Sequence, residues 1–344
     1  MNRGELEKRK PCRDVGMWLC LAIASCLVMG VVHAKAVQVN TVVSWDADDV
    51  DGWQLEDAAA PAGESGDRTD TLVFHEGSIG WSPEASDSPN AVRFWLEADI
   101  HASAGAFVGD YFDHGVYRLA FDFYAHAPAT LEVELRRASD LILFGANVEL
   151  EAGWQRIELP LLPAHFSPLP FSAPVPFRDL LTDIDQLAFG VRPGTELDGQ
   201  VFRIRNVLLQ GSDAGYADWI ADFEAGHGGS AETWLPAADR SENDVINAHT
   251  HIAGLHPADP DDLLRLVVEN SDPIGVHWIS REDRVYSLWQ SSCLNTEDFT
   301  LVTEIGYISG TGSELHAEMP PGPISHGAFF RLHVERATPQ NGDP

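Results

Sequence analysis

The sequence predicts an all-β protein built as two sandwiches, a larger N-terminal one and a smaller C-terminal one, joined by a short helical linker. Two observations carry this. Apolar residues alternate with polar ones at a period of two, the pattern of strands with one buried face. Tyr117, Leu119, Phe121 and Phe123 are interleaved with Arg118 and Asp122, and Leu131, Val133 and Leu135 with Glu132, Glu134 and Arg136. Leu187, Phe189 and Val191 make a third such face, and Phe202, Ile204 and Leu208 a fourth. Turn-rich stretches such as SPEASDSPN and FSPLPFSAPVPF separate these segments.

Residues 1–36 stand apart. Arg3, Lys8, Arg9, Lys10 and Arg13 precede an apolar run from Met17 to Val32, and small residues follow at Val32-His33-Ala34, with Ala36 as a second cleavage point. The run is shorter than the ~20 residues of a membrane-spanning helix, so it reads as a secretory signal peptide. Ile23 to Cys26 (IASC) also resembles a bacterial lipobox, which would place a lipid on Cys26, although the apolar LVMGVV that follows is unlike the usual tether. Export is therefore the expectation, with the protein secreted or held at a bacterial cell surface. No later segment is apolar enough to form an integral membrane span.

Loss of the leader removes Cys12, Cys20 and Cys26 and leaves Cys293 alone, so the mature chain forms no internal disulfide. It also leaves 16 basic and 50 acidic residues, a balance of −34 against −31 for the whole chain, and all 16 basic residues are arginine. So acidic a surface repels nucleic acid and anionic membranes. It suits a salty or calcium-rich exterior in which cations screen it; a compositional habit of the source organism is the plainer explanation.

Residues 37–212 are long enough for a sandwich of eight or more strands. DDVDGW (Asp48 to Trp53), FVGDYFDHGVYRLAFDFYA (Phe107 to Ala125) and the closing FRIRNVLL (Phe202 to Leu209) together resemble a jelly roll of the carbohydrate-binding or laminin-B type. In many such domains an early acidic residue and an Asp on the last strand hold a structural calcium ion. The resemblance would assign the early role to Asp46 or Asp48, but Arg205 stands where the late Asp is expected.

Residues 213–260 have a different texture. YADWIADF predicts a short helix and the Gly-rich EAGHGGSAE follows it. DVINAHTHIAG (Asp244 to Gly254) then sets His249 and His251 one residue apart, as on the first metal-binding strand of an amidohydrolase barrel. Such a barrel takes ~250 residues of alternating strand and helix. Only 93 residues follow His251, with no βα rhythm and no lysine to bridge metals. That reading fails.

DRSENDVINAHT instead places Asp239, Ser241, Asn243 and Asn247 at positions 1, 3, 5 and 9 of a twelve-residue calcium loop. With the GLHPADP that follows, it resembles a degenerate thrombospondin type 3 or dockerin-like segment. Asp244 replaces the usual turn glycine and Thr250 the closing bidentate Glu. An ion-free turn is the leading reading, with weak structural calcium as the alternative. On this reading Ile246 and Ile252 face inward from a short helix capped by Gly254, and the two histidines face solvent.

Residues 261–338 return to strands, expected at Leu264 to Glu269, Ile274 to Ile279, Val285 to Gln290, Phe299 to Thr303 and Ala328 to Glu335. VHWISREDRVYSLWQSSCLNTEDFTLV and AFFRLHVE resemble a small fibronectin type III-like sandwich of secreted bacterial proteins. Residues 339–344 read as a frayed tail.

No G-x-S-x-G, phosphate loop or cysteine motif occurs, and no catalytic residue is assigned. Trp81, Trp95, Tyr111 and Phe112 are the candidate aromatic platform for sugar rings, with core packing the plainer role for each. The leading expectation is a non-catalytic, secreted adhesion or binding protein whose partner is a glycan or extracellular matrix ligand taken by the jelly roll. A polysaccharide-active lyase or hydrolase on the same fold is one alternative, and a purely structural module another. A cleft holding a carboxylate pair or an Arg/His/Tyr cluster would favour the enzyme, and an exposed aromatic platform the glycan binder.

Overall fold

The computed structural model describes residues 37–344 except 46–50, 58–71, 83–93, 171, 194–199, 213, 270, 272, 294–298, 304, 320–327 and 338–344. The leader, Asp46 and Asp48 lie outside the described residues. The protein is all-β, as the alternation predicts. The first twelve strands are β1 (Val42–Val43), β2 (Gln54–Asp57), β3 (Val73–His75), β4 (Ser78–Trp81), β5 (Phe94–Ala98), β6 (Arg118–Ala125), β7 (Ala129–Arg137), β8 (Ile142–Leu150), β9 (Gly153–Pro160), β10 (Ser167–Pro168), β11 (Gln186–Pro193) and β12 (Phe202–Gln210). They form two six-stranded antiparallel sheets, one ordered β3-β4-β12-β6-β9 with β1 also on β12, the other β10-β8-β7-β11-β5-β2. A short helix α1 (Phe177–Leu181) lies between β10 and β11.

The inward faces meet in an aromatic core. Phe121, Phe123, Phe189, Phe202, Trp53 and Trp81 are all essentially buried, and Phe121 meets Phe189 edge-on at 5.0 Å between the two sheets. Each buried ring contributes about 2–3 kcal/mol of transfer free energy. One register feature departs from simple alternation. A bulge between Arg205 and Leu208, with Asn206 at φ 53°, turns Val207 and Leu209 into the core. Leu208 is left on the outward side, the reverse of the expectation for that residue.

The linker is folded onto the first sandwich. Helix α2 (Tyr216–His227) buries Tyr216 and Ile220, and these join Trp234 and Leu235 in the first sandwich's core. The Tyr216 hydroxyl donates to the Trp234 carbonyl at 2.9 Å. Helix α3 (Asn247–Ala253) ends at Gly254, whose left-handed φ of 68° returns its N–H to the His251 carbonyl, as expected for a glycine cap. The buried face of α3 differs from the expected one. Asn247, Ala248, Thr250, His251 and Ala253 are buried, while Ile246 and Ile252 are half-buried. The reason is a polar interior: Asn247 and His251 find partners inside, so the isoleucines sit at the margin.

The remaining strands are β13 (Val267–Glu269), β14 (Gly275–Ile279), β15 (Arg284–Ser291), β16 (Thr300–Leu301), β17 (Tyr307–Ser309), β18 (Glu314–Glu318) and β19 (Phe329–Arg336). They make a three-stranded sheet, β13-β14-β18, and a four-stranded one in which β15 pairs β16, β17 and β19. Between them lies a separate small core around Val276, Trp278, Tyr286 and Leu288. The tight β17 and β18 segments have no equivalent in the predicted strands.

Candidate functional site

With Leu119, Phe121 and Phe123 turned inward on β6, the pleat sends Asp122 and Tyr124 outward. The ladder then fixes their neighbours. Tyr124 lies between Arg203 on β12 and Trp154 on β9, and Asp122 lies between Arg205 and Arg156. The result is a two-row tile on the outside of the first sheet. Trp154 is 39% exposed and its ring centroid is 5.6 Å from that of Tyr124. Guanidinium groups pack on both rings, Arg203 over Tyr124 at 5.4 Å and Arg205 over Trp154 at 4.1 Å. Gly80 on β4 leaves Arg203 room, since a Cβ there would lie 3.1 Å from the arginine Cγ.

Asp122 anchors the second row. It accepts from Asn206 Nδ2 at 2.7 Å and Arg156 Nη1 at 3.1 Å, and Arg205 Nε lies 3.4 Å away. Burial works to raise its pKa, but the bonds from Asn206 and Arg156 and the two arginine charges outweigh it and hold the carboxyl below its ordinary value. This carboxylate is ionised and committed. Arg205 therefore supplies a fixed positive charge at the position where the jelly-roll resemblance expects an acidic calcium ligand.

The opposite outward face, on β2, β5, β7 and β11, is acidic. Trp95 lies under the Arg136 guanidinium at 4.7 Å. Arg136 also bonds Glu134 at 2.7 Å, Gln186 at 3.0 Å and Glu97, with Glu56 at 4.0 Å. Three carboxyl groups share one guanidinium. Burial and a hydrogen bond to Glu56 push Glu97 up to about 8, against the opposing pull of Arg136, so one proton stays on the Glu56–Glu97 pair at neutral pH.

Of the four aromatics predicted for a platform, three are in the core. Trp81 packs against Phe123 and Phe202. Tyr111 is fully buried with its hydroxyl donating to the Phe107 carbonyl, and burial raises its pKa. Phe112 sits edge-on to Tyr216 at 5.5 Å. Trp81 is inside because β4 turns it toward Phe123 and Phe202, and Phe112 because its loop packs under Tyr216 of α2. Trp95 is on a face but is only 9% exposed. On the outward face of the first sheet the aromatics are instead the exposed Trp154 and the half-buried Tyr124. Tyr124 was legible as the polar-side neighbour of Phe123, and Trp154 in the alternation of Trp154, Arg156 and Glu158 with Ile157 and Leu159.

In the calcium-like loop, Asp239 accepts from the Asn243 and Asp244 N–H groups and the Ser241 hydroxyl. Asn243 Oδ1 accepts from the Val245 N–H. Asn247 points inward, donating to the Thr233 and Leu235 carbonyls. Asp239 and Asn243 thus accept hydrogen bonds from within the loop itself. Among the described residues no group of three or more His, Cys, Asp or Glu could hold a metal, and no helix is long and apolar enough to cross a membrane.

The histidine pair is split. His249 is exposed and its ring meets Tyr117 at 5.1 Å; partial burial and the Arg118 charge lower its pKa. It lines a cleft of ≈ 950 Å³ together with Tyr117, Ile252, Arg331 and Arg336. His251 is buried, contrary to expectation. Its Nδ1 lies 2.9 Å from the Ser212 hydroxyl and its ring packs on Trp219 at 4.9 Å. Burial, with the charges of Arg336 and Arg284, drives its pKa down to about 3. The Ser212–His251 pair is enclosed by the surrounding side chains.

No family model and no curated protein matches the chain. Among solved structures, a family 29 carbohydrate-binding module is similar over 48% of this chain and 88% of that one, at 12% identity and a TM-score of 0.29. A variant of the same module complexed with cellulohexaose matches over 50% and 83%, at 12% identity and a TM-score of 0.26. The family 11 carbohydrate-binding module of the cellulosomal cellulase Lic26A-Cel5E of Clostridium thermocellum matches over 51% and 96%, at 13% identity and a TM-score of 0.31.

Proposed function

We propose that the protein is an exported, non-catalytic glycan-binding protein whose ligand lies across the outward face of β12, β6 and β9. The observation that carries this is the exposed Trp154 beside Tyr124, flanked by guanidinium groups. Aromatic rings stack on the apolar faces of pyranoses, and fixed donors and acceptors beside them orient the hydroxyls. Asp122 is tied up by two hydrogen-bond donors, Asn206 and Arg156, and by the charge of Arg205, which suits a binding surface and leaves no carboxyl on that row free for acid–base work. A glycan-array screen of the full chain tests the reading. Trp154→Ala and Tyr124→Ala should each weaken the best ligand about tenfold. A ligand bound equally well by both variants would overturn this placement.

A second reading, a polysaccharide-active enzyme, is favoured by the Glu56–Glu97 pair on the opposite face. A carboxyl that keeps its proton at neutral pH is suited to general-acid work. Depolymerisation of any polysaccharide by the wild-type chain, abolished in Glu97→Gln, would establish it; intact polymer after prolonged incubation would remove it.

A further inference from the structure

We infer that the glycan taken by the Tyr124–Trp154 face is polyanionic, with carboxylate or sulfate groups held by its arginines. This rests on the glycan-binding reading above and adds the ligand's charge. The chain is strongly acidic, at −31, yet among the described residues this face inverts the balance. Arg118, Arg156, Arg203 and Arg205 all project from it against two carboxylates, Asp122 and Glu158. Arg118 is matched by Glu158 at 2.6 Å. Arg156 and Arg205 divide the single charge of Asp122 between them. Arg203 pairs with no carboxylate among the described residues and is held only by the Tyr124 ring. The excess of positive charge is therefore concentrated at the aromatic end of the tile.

A protein whose composition is set only by acidic bias would scatter its few arginines among carboxylates, as the opposite face does: there Arg136 is surrounded by Glu56, Glu97 and Glu134. The charge elsewhere does little to cancel the tile, because fields are screened beyond ~8 Å at physiological ionic strength. Guanidinium is also the cation that grips carboxylate and sulfate with two parallel hydrogen bonds. Its stacking on Tyr124 and Trp154 fixes it in advance, so less rotamer freedom is lost when the anion arrives. A neutral glycan would use the rings and leave this charge unmatched.

Calorimetric titration of the full chain, with chelator present to keep calcium from gelling the polymers, distinguishes the two layers of the argument. The probes are polygalacturonate and its fully methyl-esterified form, which share a backbone and differ in charge, and dextran sulfate against dextran. The expected result is that at least one anionic polymer binds more than about tenfold tighter than its neutral partner, with affinity falling as salt is raised. Arg203→Gln should remove most of that preference while leaving the melting temperature unchanged. Arg331→Gln, on β19, should leave it intact. Equal binding of charged and neutral partners would overturn the inference and leave glycan binding standing. Equal losses from Arg203→Gln and Arg331→Gln would overturn it too, as general attraction. Failure of all four polymers, together with a blank array, would overturn the glycan reading itself.

Discussion

Arg284 on β15 reaches out of the second sandwich and donates through Nη2 to the main-chain oxygen of His251 at 2.5 Å, and through Nε to that of Ile252. These are last-turn carbonyls of α3, of which that of His251 also takes the Gly254 N–H, while helix ends leave such carbonyls short of donors. Arg284 is only 3% exposed, and Asp283 neutralises it. A second clamp, from Arg336 Nη1 to the Ala214 carbonyl at 2.6 Å, holds the start of α2.

Replacing Arg284 by Met strips the Ile252 carbonyl of its side-chain donor, leaves the His251 carbonyl with only the Gly254 N–H, and leaves Asp283 without its ion pair. The expected loss is about 3 kcal/mol, read as a lower urea midpoint, with Arg284→Lys recovering only part. An unchanged midpoint would show that the joint does not support the fold.

Gly115 has a left-handed φ of 57°, and a Cβ there would lie 1.9 Å from the Ser212 Oγ. Gly115→Ala should therefore cost about 2 kcal/mol or more. Ser212→Gly in the same chain should recover some of it by removing the clashing hydroxyl. Thermal melts of the single and double variants decide the matter; additive losses would contradict the clash.

Two buried groups make stability depend on pH in opposite directions. His251 titrates near 3 when folded and near 6.5 when unfolded. The unfolded chain binds the extra proton in that window, so stability present above about pH 6.5 is lost as the pH falls toward 3. The melting temperature of His251→Asn should fall less steeply over the same range.

Glu97 behaves in reverse. Its folded value of about 8 lies above the ordinary 4.5, so its contribution is complete below pH 4.5 and disappears as the pH rises through 8. Glu97→Gln keeps a neutral side chain in place and should flatten the alkaline arm of the melting profile. An identical alkaline arm in the variant would refute the shared proton.

Asp239 works as a turn anchor through its three bonds. Asp239→Asn should cost about 1 kcal/mol, equally with and without millimolar calcium. A loss seen only in calcium would make Asp239 a metal ligand after all.

The readable parts of the sequence were those in which one side of a strand met one kind of environment. On β6 and β7 every second residue enters the core, so alternation sufficed. It failed on β12, because the extra residue at Asn206 shifts the phase and nothing in IRNVLL marks the slip. Trp81 and Trp154 look alike in sequence; the pairing partners of β4 and β9 decide which one is buried. His251 was misjudged for a related reason. A histidine reads as a surface residue until Ser212, 39 positions earlier, supplies a buried partner. The arginine–aromatic tile is assembled from three strands far apart in the chain, so no contiguous motif announces it.

The two clamps have a further consequence. Arg284 and Arg336 hold main-chain oxygens of residues 214, 251 and 252, which every amino acid possesses. Specificity at the joint therefore resides almost wholly in the donor side chains of the second sandwich. Over generations Ala214 and Ile252 are free to drift in identity without unfastening the two halves, whereas the loss of either arginine cannot be compensated from the linker side.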